Sequence, residues 1–308
     1  MTAFVAGPHT TLIPTTPDRG PFGLGRSGYP WPDRAVEIAP DALAGADVDL
    51  VVLQRPAELE LAQRWLGRRL GRDVPAVYVE HDAPPGPVPD TRHPLADRSD
   101  IVLAHVTHFN ALMWDGGRAP QVVVEHGVPD PGQRYTGELP RIAVTINEPV
   151  RRYRTTGTDL LPDFARLAPV DVYGIDSQTL GDKLNLPAER LTGHGSLTPG
   201  PLHTELSRRR LYLHPFRWTS LGLSLIEAMM LGMPVVALAT TEAVTAVPAG
   251  AGTLSNDPRR LHTGTRDLLH DPAAARAAGR RARAGALERY HLDRFTADWA
   301  ALIAELGR

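Results

Sequence analysis

Apolar residues come along this chain in short continuous runs bounded by polar or glycine-containing turns. In the first half the runs are 49–53 (DLVVL), 76–79 (AVYV), 101–105 (IVLAH) and 121–124 (QVVV). Between the first two, residues 58–70 place Leu59, Ala62, Leu66 and Leu70 at helical spacing. Continuous apolar strands alternating with helices predict a buried parallel sheet. The pattern then restarts. Strands are predicted at 141–146, 171–173, 211–214 and 234–238, and helices at 159–167, 223–231, 272–289 and 295–306. The fold class is therefore α/β, with two Rossmann-like doubly wound domains facing a cleft at the carboxyl ends of their strands.

The Pro/Gly-rich stretch 127–139 separates the two series. The expected division is a first domain over 1–137, a second over 138–290, and a closing helix over 291–308 that packs back toward the first. A doubly wound domain opens with an apolar strand and a Gly-rich turn. Residues 1–7 are too short and mixed for that, and the next extended candidate, 10–15 (TTLIPT), is interrupted by Pro14. The first sheet is thus expected to lack its opening strand or to fill it by other means, and the natural reading frame to extend upstream. The glycines of 19–26 (RGPFGLGR) follow no clear strand and read as a flexible surface loop.

Composition narrows the chemistry. The 308 residues are 42% hydrophobic and 22% charged with a net charge of −2, so no global basic field exists to hold a nucleic acid. With no cysteine there are no disulfides, zinc–thiolate sites, iron–sulfur clusters or cysteine nucleophiles. Lys183 is the single lysine, so a Schiff-base mechanism would have to use it. No apolar run approaches the roughly 20 residues that span a bilayer, and the first residues lack a signal-peptide pattern. A cytoplasmic protein is expected. Arg208, Arg209 and Arg210 read as a solvated helix face, with peripheral membrane contact the most they suggest.

Residues 214–236 (HPFRWTSLGLSLIEAMMLGMPVV) read as a strand end, a glycine loop, a helix, a glycine stop and a new strand. A helix that starts after a glycine loop offers free N–H groups and a positive dipole end, an anion site suited to a diphosphate. Glu227 stands about one turn further on, where a carboxylate can accept hydrogen bonds from vicinal ribose hydroxyls.

This segment resembles the donor-binding motif of retaining GT-B glycosyltransferases of the family 4 type (glycosyl transferases group 1). Pro215, Gly222, Leu223, Glu227, Ala228, Met229, Gly232, Pro234, Val235 and Val236 match its register. The resemblance implies a GT-B fold. It implies transfer of a sugar from a UDP- or GDP-linked donor to an unidentified acceptor, with retention and without metal or other cofactor. Glu227 then anchors the ribose, and Thr219, Ser220, Leu221, Gly222 and Leu223 form the donor loop. Thr219 stands where the family has a carboxylate that contacts the sugar. Residues 147–161 resemble the family's basic loop, with Thr156 in the lysine's place, so the diphosphate is assigned to Arg151, Arg152 or Arg154, with Arg152 favoured. His81 follows a strand at a point where family members carry a histidine facing the donor sugar. His105, His108 and His126 also follow strands, His126 in the place of an interdomain asparagine. Gly195, in 193–196 (GHGS), falls in a loop near the nucleotide base. Asp90 and Asp97 have the wrong spacing for a metal-binding pair. Two other readings stand beside a transferase. One is a catalytically impaired GT-B-like binding or regulatory partner, suggested by Thr219, Thr156 and the missing first strand. The other is a sugar-nucleotide epimerase, against which the register around Glu227 argues.

Overall fold

A computed structural model describes residues 1–307 and divides the chain into two compact units. The first comprises Met1–Gly127 and the C-terminal segment from Leu292; the second is Val128–His291.

The first unit runs α1 (Thr2–Val5), β1 (Thr11–Pro14), β2 (Ala35–Ile38), β3 (Val51–Leu53), α2 (Glu58–Leu66), β4 (Ala76–Glu80), β5 (Val102–His105), α3 (His108–Met113) and β6 (Gln121–Val123). Strands β3-β4-β5-β6 form a four-stranded parallel sheet, and β1 and β2 pair separately in parallel. The interrupted segment at 10–15 is therefore a strand after all. Pro14 is tolerated because it is the last residue, where a missing N–H costs the ladder little. Leu12 and Ile38 pack onto the same core as Leu53, Leu66, Tyr78 and Leu103. Glu37 ties down the glycine-rich loop, accepting from the Arg19 guanidinium at 3.0 Å and from the Arg26 amide at 2.7 Å.

The second unit runs β7 (Leu139–Thr145), α4 (Pro149–Arg152), α5 (Leu161–Ala165), β8 (Val170–Tyr173), α6 (Leu180–Leu184), β9 (Leu191–Gly195), α7 (Pro199–Arg208), β10 (Arg209–His214), α8 (Leu223–Leu231), β11 (Val235–Leu238), α9 (Ala243–Ala246), β12 (Gly252–Ser255), α10 (Pro258–His270) and α11 (Pro272–Tyr290). Its six strands lie parallel in the order β12-β11-β10-β7-β8-β9. The winding reverses between β7 and β10. In open α/β sheets that switch point leaves a crevice beyond the strands' carboxyl ends.

The second unit begins at Val128, ten residues before the expected boundary. The intervening stretch belongs to it: the Tyr135 amide bonds Leu231 O, the Thr136 and Gly137 amides bond Ser207 O, and Asp130 pairs with Arg283 at 2.7 Å. The last helix, α12 (Leu292–Leu306), packs Trp299 and Leu302 onto Val77, Val79 and Ala104 of the first unit. The arginine run is also different from expectation. Arg208 closes α7, but Arg209 and Arg210 are buried in β10. Arg209 donates to Asp171 at 2.8 Å and pairs with Glu205; Arg210 donates to the carbonyls of Gly137 and Leu269. Buried charge is tolerable where it is paired in this way. Among the described residues no helix is long and apolar enough to cross a membrane.

Candidate functional site

Two loops leave the carboxyl ends of the strands that flank the switch point, one after β7 and one after β10. They are fastened to each other. The amides of Arg217 and Trp218 donate to Thr155 O at 2.9 and 3.3 Å. The Arg217 guanidinium forks onto Asp159 at 2.6 and 2.9 Å and reaches Arg154 O at 2.8 Å. Gly157 sits at the crossing with φ +73°, and a Cβ there would overlap the Pro215 carbonyl. Only glycine combines that backbone with that approach.

Helix α8 starts directly from the second loop. Gly222 is its N-cap in extended conformation with no side-chain cap, and Gly232 ends it in the left-handed region at φ +89°. Leu225, Ile226, Ala228, Met229, Met230 and Leu231 are all buried, so the helix is apolar nearly all round. Burying each of its large apolar side chains contributes about 1.5–3 kcal/mol. Glu227 is the helix's only charged residue. Its side chain is 24% exposed, and its one ion-pair neighbour is His203 Nε2 of α7, at 3.7 Å from Oε2.

The residues of the loop before α8 differ in access. Ser220 and Leu221 are buried, Thr219 and Gly222 are half-buried, and Leu223 is 48% exposed at the first position of α8. Under Gly222 lies His214, the last residue of β10, 1% exposed, with Cε1 3.0 Å from where a Gly222 Cβ would stand. Burial takes its pKa down to about 3, so the ring is neutral.

The basic loop sorts its three arginines. Arg151 forks onto Glu148 at 2.7 Å, and Arg154 pairs with Asp159 at 3.0 Å. Among the described residues the half-buried Arg152 side chain has no hydrogen-bond or ion-pair partner. Thr156, in the lysine's place, is fully buried, bonded to Tyr153 O at 3.2 Å and to the Thr158 hydroxyl at 3.0 Å. Tyr153 has φ +25° and ψ −92°. Such backbone strain concentrates at functional segments.

Other expected positions are placed elsewhere. Gly195 ends strand β9 instead of lying in a loop. It is buried, its amide donates to Ser177 Oγ at 2.9 Å, and its carbonyl accepts from Gly174 at 2.8 Å, so its backbone groups are already engaged. In the first unit His81 follows β4, half-buried, with Nε2 at 3.1 Å from Gln54 Oε1; burial lowers its pKa. His105 is fully buried and bonded to Gln121 at 2.9 Å, a structural imidazole. His126 is brought down to about 4, chiefly by burial. His108 is exposed at the start of α3. Asp97 is taken by Arg92 at 2.7 Å. His203, Arg217 and His214 were not singled out in the sequence. His214 and Arg217 lie inside the donor motif and could have been found there; His203 carries no local signal.

Strand order, parallel pairing and the reversal between β7 and β10 define an α/β fold with parallel sheets, that of GT-B glycosyltransferase structures. Residues 182–285, about a third of the chain, match the family model described as glycosyl transferases group 1. The chain is similar to a mutant of S. aureus TarM solved with fondaparinux, alpha-GlcNAc-glycerol and UDP, at TM-score 0.65 and 15% identity. That match covers 82% of this chain and 55% of TarM, so the chain spans about half of that protein's length. It is also similar to sucrose-phosphate synthase from Thermosynechococcus elongatus, at TM-score 0.65 and 16% identity, covering 84% of this chain and 73% of that one. A third similar structure is Anabaena HepE in complex with UDP, at TM-score 0.64 and 17% identity, covering 84% and 79%. No curated protein matches the chain.

Proposed function

We propose that the protein is a glycosyltransferase that moves a sugar from a UDP- or GDP-linked donor to an acceptor nucleophile, with retention of anomeric configuration. The observation that carries this reading is Glu227, a partly exposed carboxylate one turn into an uncapped apolar helix at the switch point. The match of residues 182–285 to a glycosyltransferase family model and the UDP in the TarM and HepE structures support it.

In this reading Glu227 accepts the ribose hydroxyls, and the first amides of α8 meet the diphosphate with the positive end of the helix dipole. Arg152 supplies the charge that the buried Thr156 lacks. The anomeric carbon–oxygen bond to the diphosphate breaks, and the acceptor oxygen bonds to the same face of the sugar. The acceptor's proton passes to the departing phosphate. Arg152 and the helix end stabilise the charge that develops on that leaving group, so the scheme calls for no metal or other cofactor. Thr219 offers the sugar a hydroxyl without charge. The first unit's candidate is His81, kept neutral by burial. A cytoplasmic enzyme that uses a soluble nucleotide sugar fits a chain without cysteine.

The uncharged Thr219 and Thr156 favour one second reading, a nucleotide-binding protein without transfer activity. Release of free nucleotide from a panel of UDP- and GDP-sugars separates the two. A transferase releases nucleotide from one donor of the panel, slowly without acceptor. Binding with no release from any donor supports the second reading.

A further inference from the structure

We propose that His203 is a positioning residue that orients the Glu227 carboxylate for the ribose. The inference rests on the reading that Glu227 is the ribose ligand. His203 stands in the middle of α7, which packs against α8, and its side chain is only 12% exposed. Its Nε2 is buried and has no hydrogen-bond partner. Glu227 Oε2 stands 3.7 Å away. A buried ring nitrogen without a partner is costly, and structures normally satisfy it. Here a turn of the carboxylate by less than an ångström would bring it to hydrogen-bond distance.

One polar group that feels the Glu227 charge is already engaged. The Tyr212 hydroxyl, beneath α8 on β10, donates to Ser224 Oγ at 2.9 Å. Burial, with the Glu227 charge adding, pushes that phenol up to about 12, so it stays protonated and bound to Ser224. A carboxylate has about four lone-pair sites. One site on Oε2 goes to His203, and those on Oε1 remain for a vicinal diol. A carboxylate held in one orientation loses less freedom when it accepts two hydroxyls at once.

The test is calorimetry with UDP and 2′-deoxy-UDP, with GDP and its 2′-deoxy analogue run in parallel. The proteins are wild type, H203A, H203Q, E227A and the double variant H203A/E227A. H203A should weaken the ribonucleotide by about fivefold to tenfold, the upper range for one ordinary hydrogen bond, since His203 acts on the ligand only through Glu227. It should reduce the preference for ribo- over 2′-deoxynucleotide by a similar factor. H203Q, which keeps a side-chain N–H, should restore most of both. In the E227A background His203→Ala should change nothing, because the two act as one unit. Wild-type affinity and preference in H203A, or additive losses in the double variant, would overturn the proposal while leaving Glu227 in place. An E227A protein that binds like wild type would instead remove the ribose reading itself, and the proposal with it.

Discussion

His214 makes the second unit sensitive to acid in a way that can be calculated. The ring closes β10, stacks on Phe216 at 4.5 Å between centroids and is 1% exposed, with Nδ1 unpartnered. It lies beneath the first turn of α8, where the helix's positive end also disfavours a second positive charge. Burial lowers its pKa from 6.5 to about 3. The folded pKa is depressed, so below pH 6.5 the unfolded chain binds a proton that the folded chain refuses until about pH 3. The stability contribution is complete above pH 6.5 and is lost as pH falls toward 3, at about 1.4 kcal/mol per unit. Between pH 7 and pH 5 that amounts to about 2 kcal/mol, a large part of the 5–15 kcal/mol typical of a domain. Hydrogen exchange at the β7 and β10 amides, corrected for intrinsic rates, reads the stability of this unit alone. Wild type should lose about 2 kcal/mol more than His214→Gln over that interval. The difference between the two proteins removes the contribution of other buried histidines such as His126. Parallel pH dependence in the two proteins, or a His214 imidazole that titrates near 6.5 by NMR, would refute the reasoning.

Three further outcomes follow from the same geometry. Gly157→Ala should destabilise the second unit by about 2–5 kcal/mol, the sum of a left-handed alanine and overlap with the Pro215 carbonyl, and should weaken UDP binding by parting the two loops; thermal unfolding and calorimetry check both. Arg152→Ala should weaken UDP by about tenfold or more, since it removes a hydrogen bond between charged groups. Arg151→Ala and Arg154→Ala, whose guanidinium groups are already paired at the surface, should each change it by less than about twofold. Burial alone would raise the Asp171 pKa, but hydrogen bonds from Arg141, His194 and Arg209 outweigh it and hold the carboxyl at about 2. Asp171→Asn should therefore cost about 2–3 kcal/mol at pH 7, the worth of that shift, since Arg209 keeps Glu205 and Arg141 is part-exposed. In wild type this contribution is full above about pH 4 and disappears as pH falls to 2, so the two unfolding curves should converge in acid.

The sequence is most readable where burial is complete. Strand β11 and the apolar stretches of β4, β5 and β10 are continuous because both faces of a parallel sheet are covered. Helix α8 could be placed from Leu223 to Leu231 because Gly222 and Gly232 punctuate it. Strands β9 and β12 were missed: LTGHG and GTLS carry glycines and few apolar residues, and lie on the edges of the sheet. Helix α7 starts with Pro-Gly-Pro and looks like a loop until its packing on α8 is known. The buried arginines Arg209 and Arg210 were misread for a related reason. Their counter-charge and carbonyl partners, among them Asp171 and Leu269, lie far along the chain. In the candidate site, Glu227 and the loop before α8 stand out in the sequence from the glycine punctuation around them. The choice among Arg151, Arg152 and Arg154 needed their partners, Glu148 and Asp159. His203 needed the packing of one helix on another.

The central claim is that Glu227 holds the ribose of a nucleoside diphosphate. It is tested most directly by the dissociation constants of UDP and GDP measured calorimetrically for wild type and Glu227→Ala. The account predicts that one of the two nucleotides binds wild type and that Glu227→Ala weakens it by about tenfold to a hundredfold, the loss of hydrogen bonds to a charged group. Equal affinity in the two proteins would contradict it.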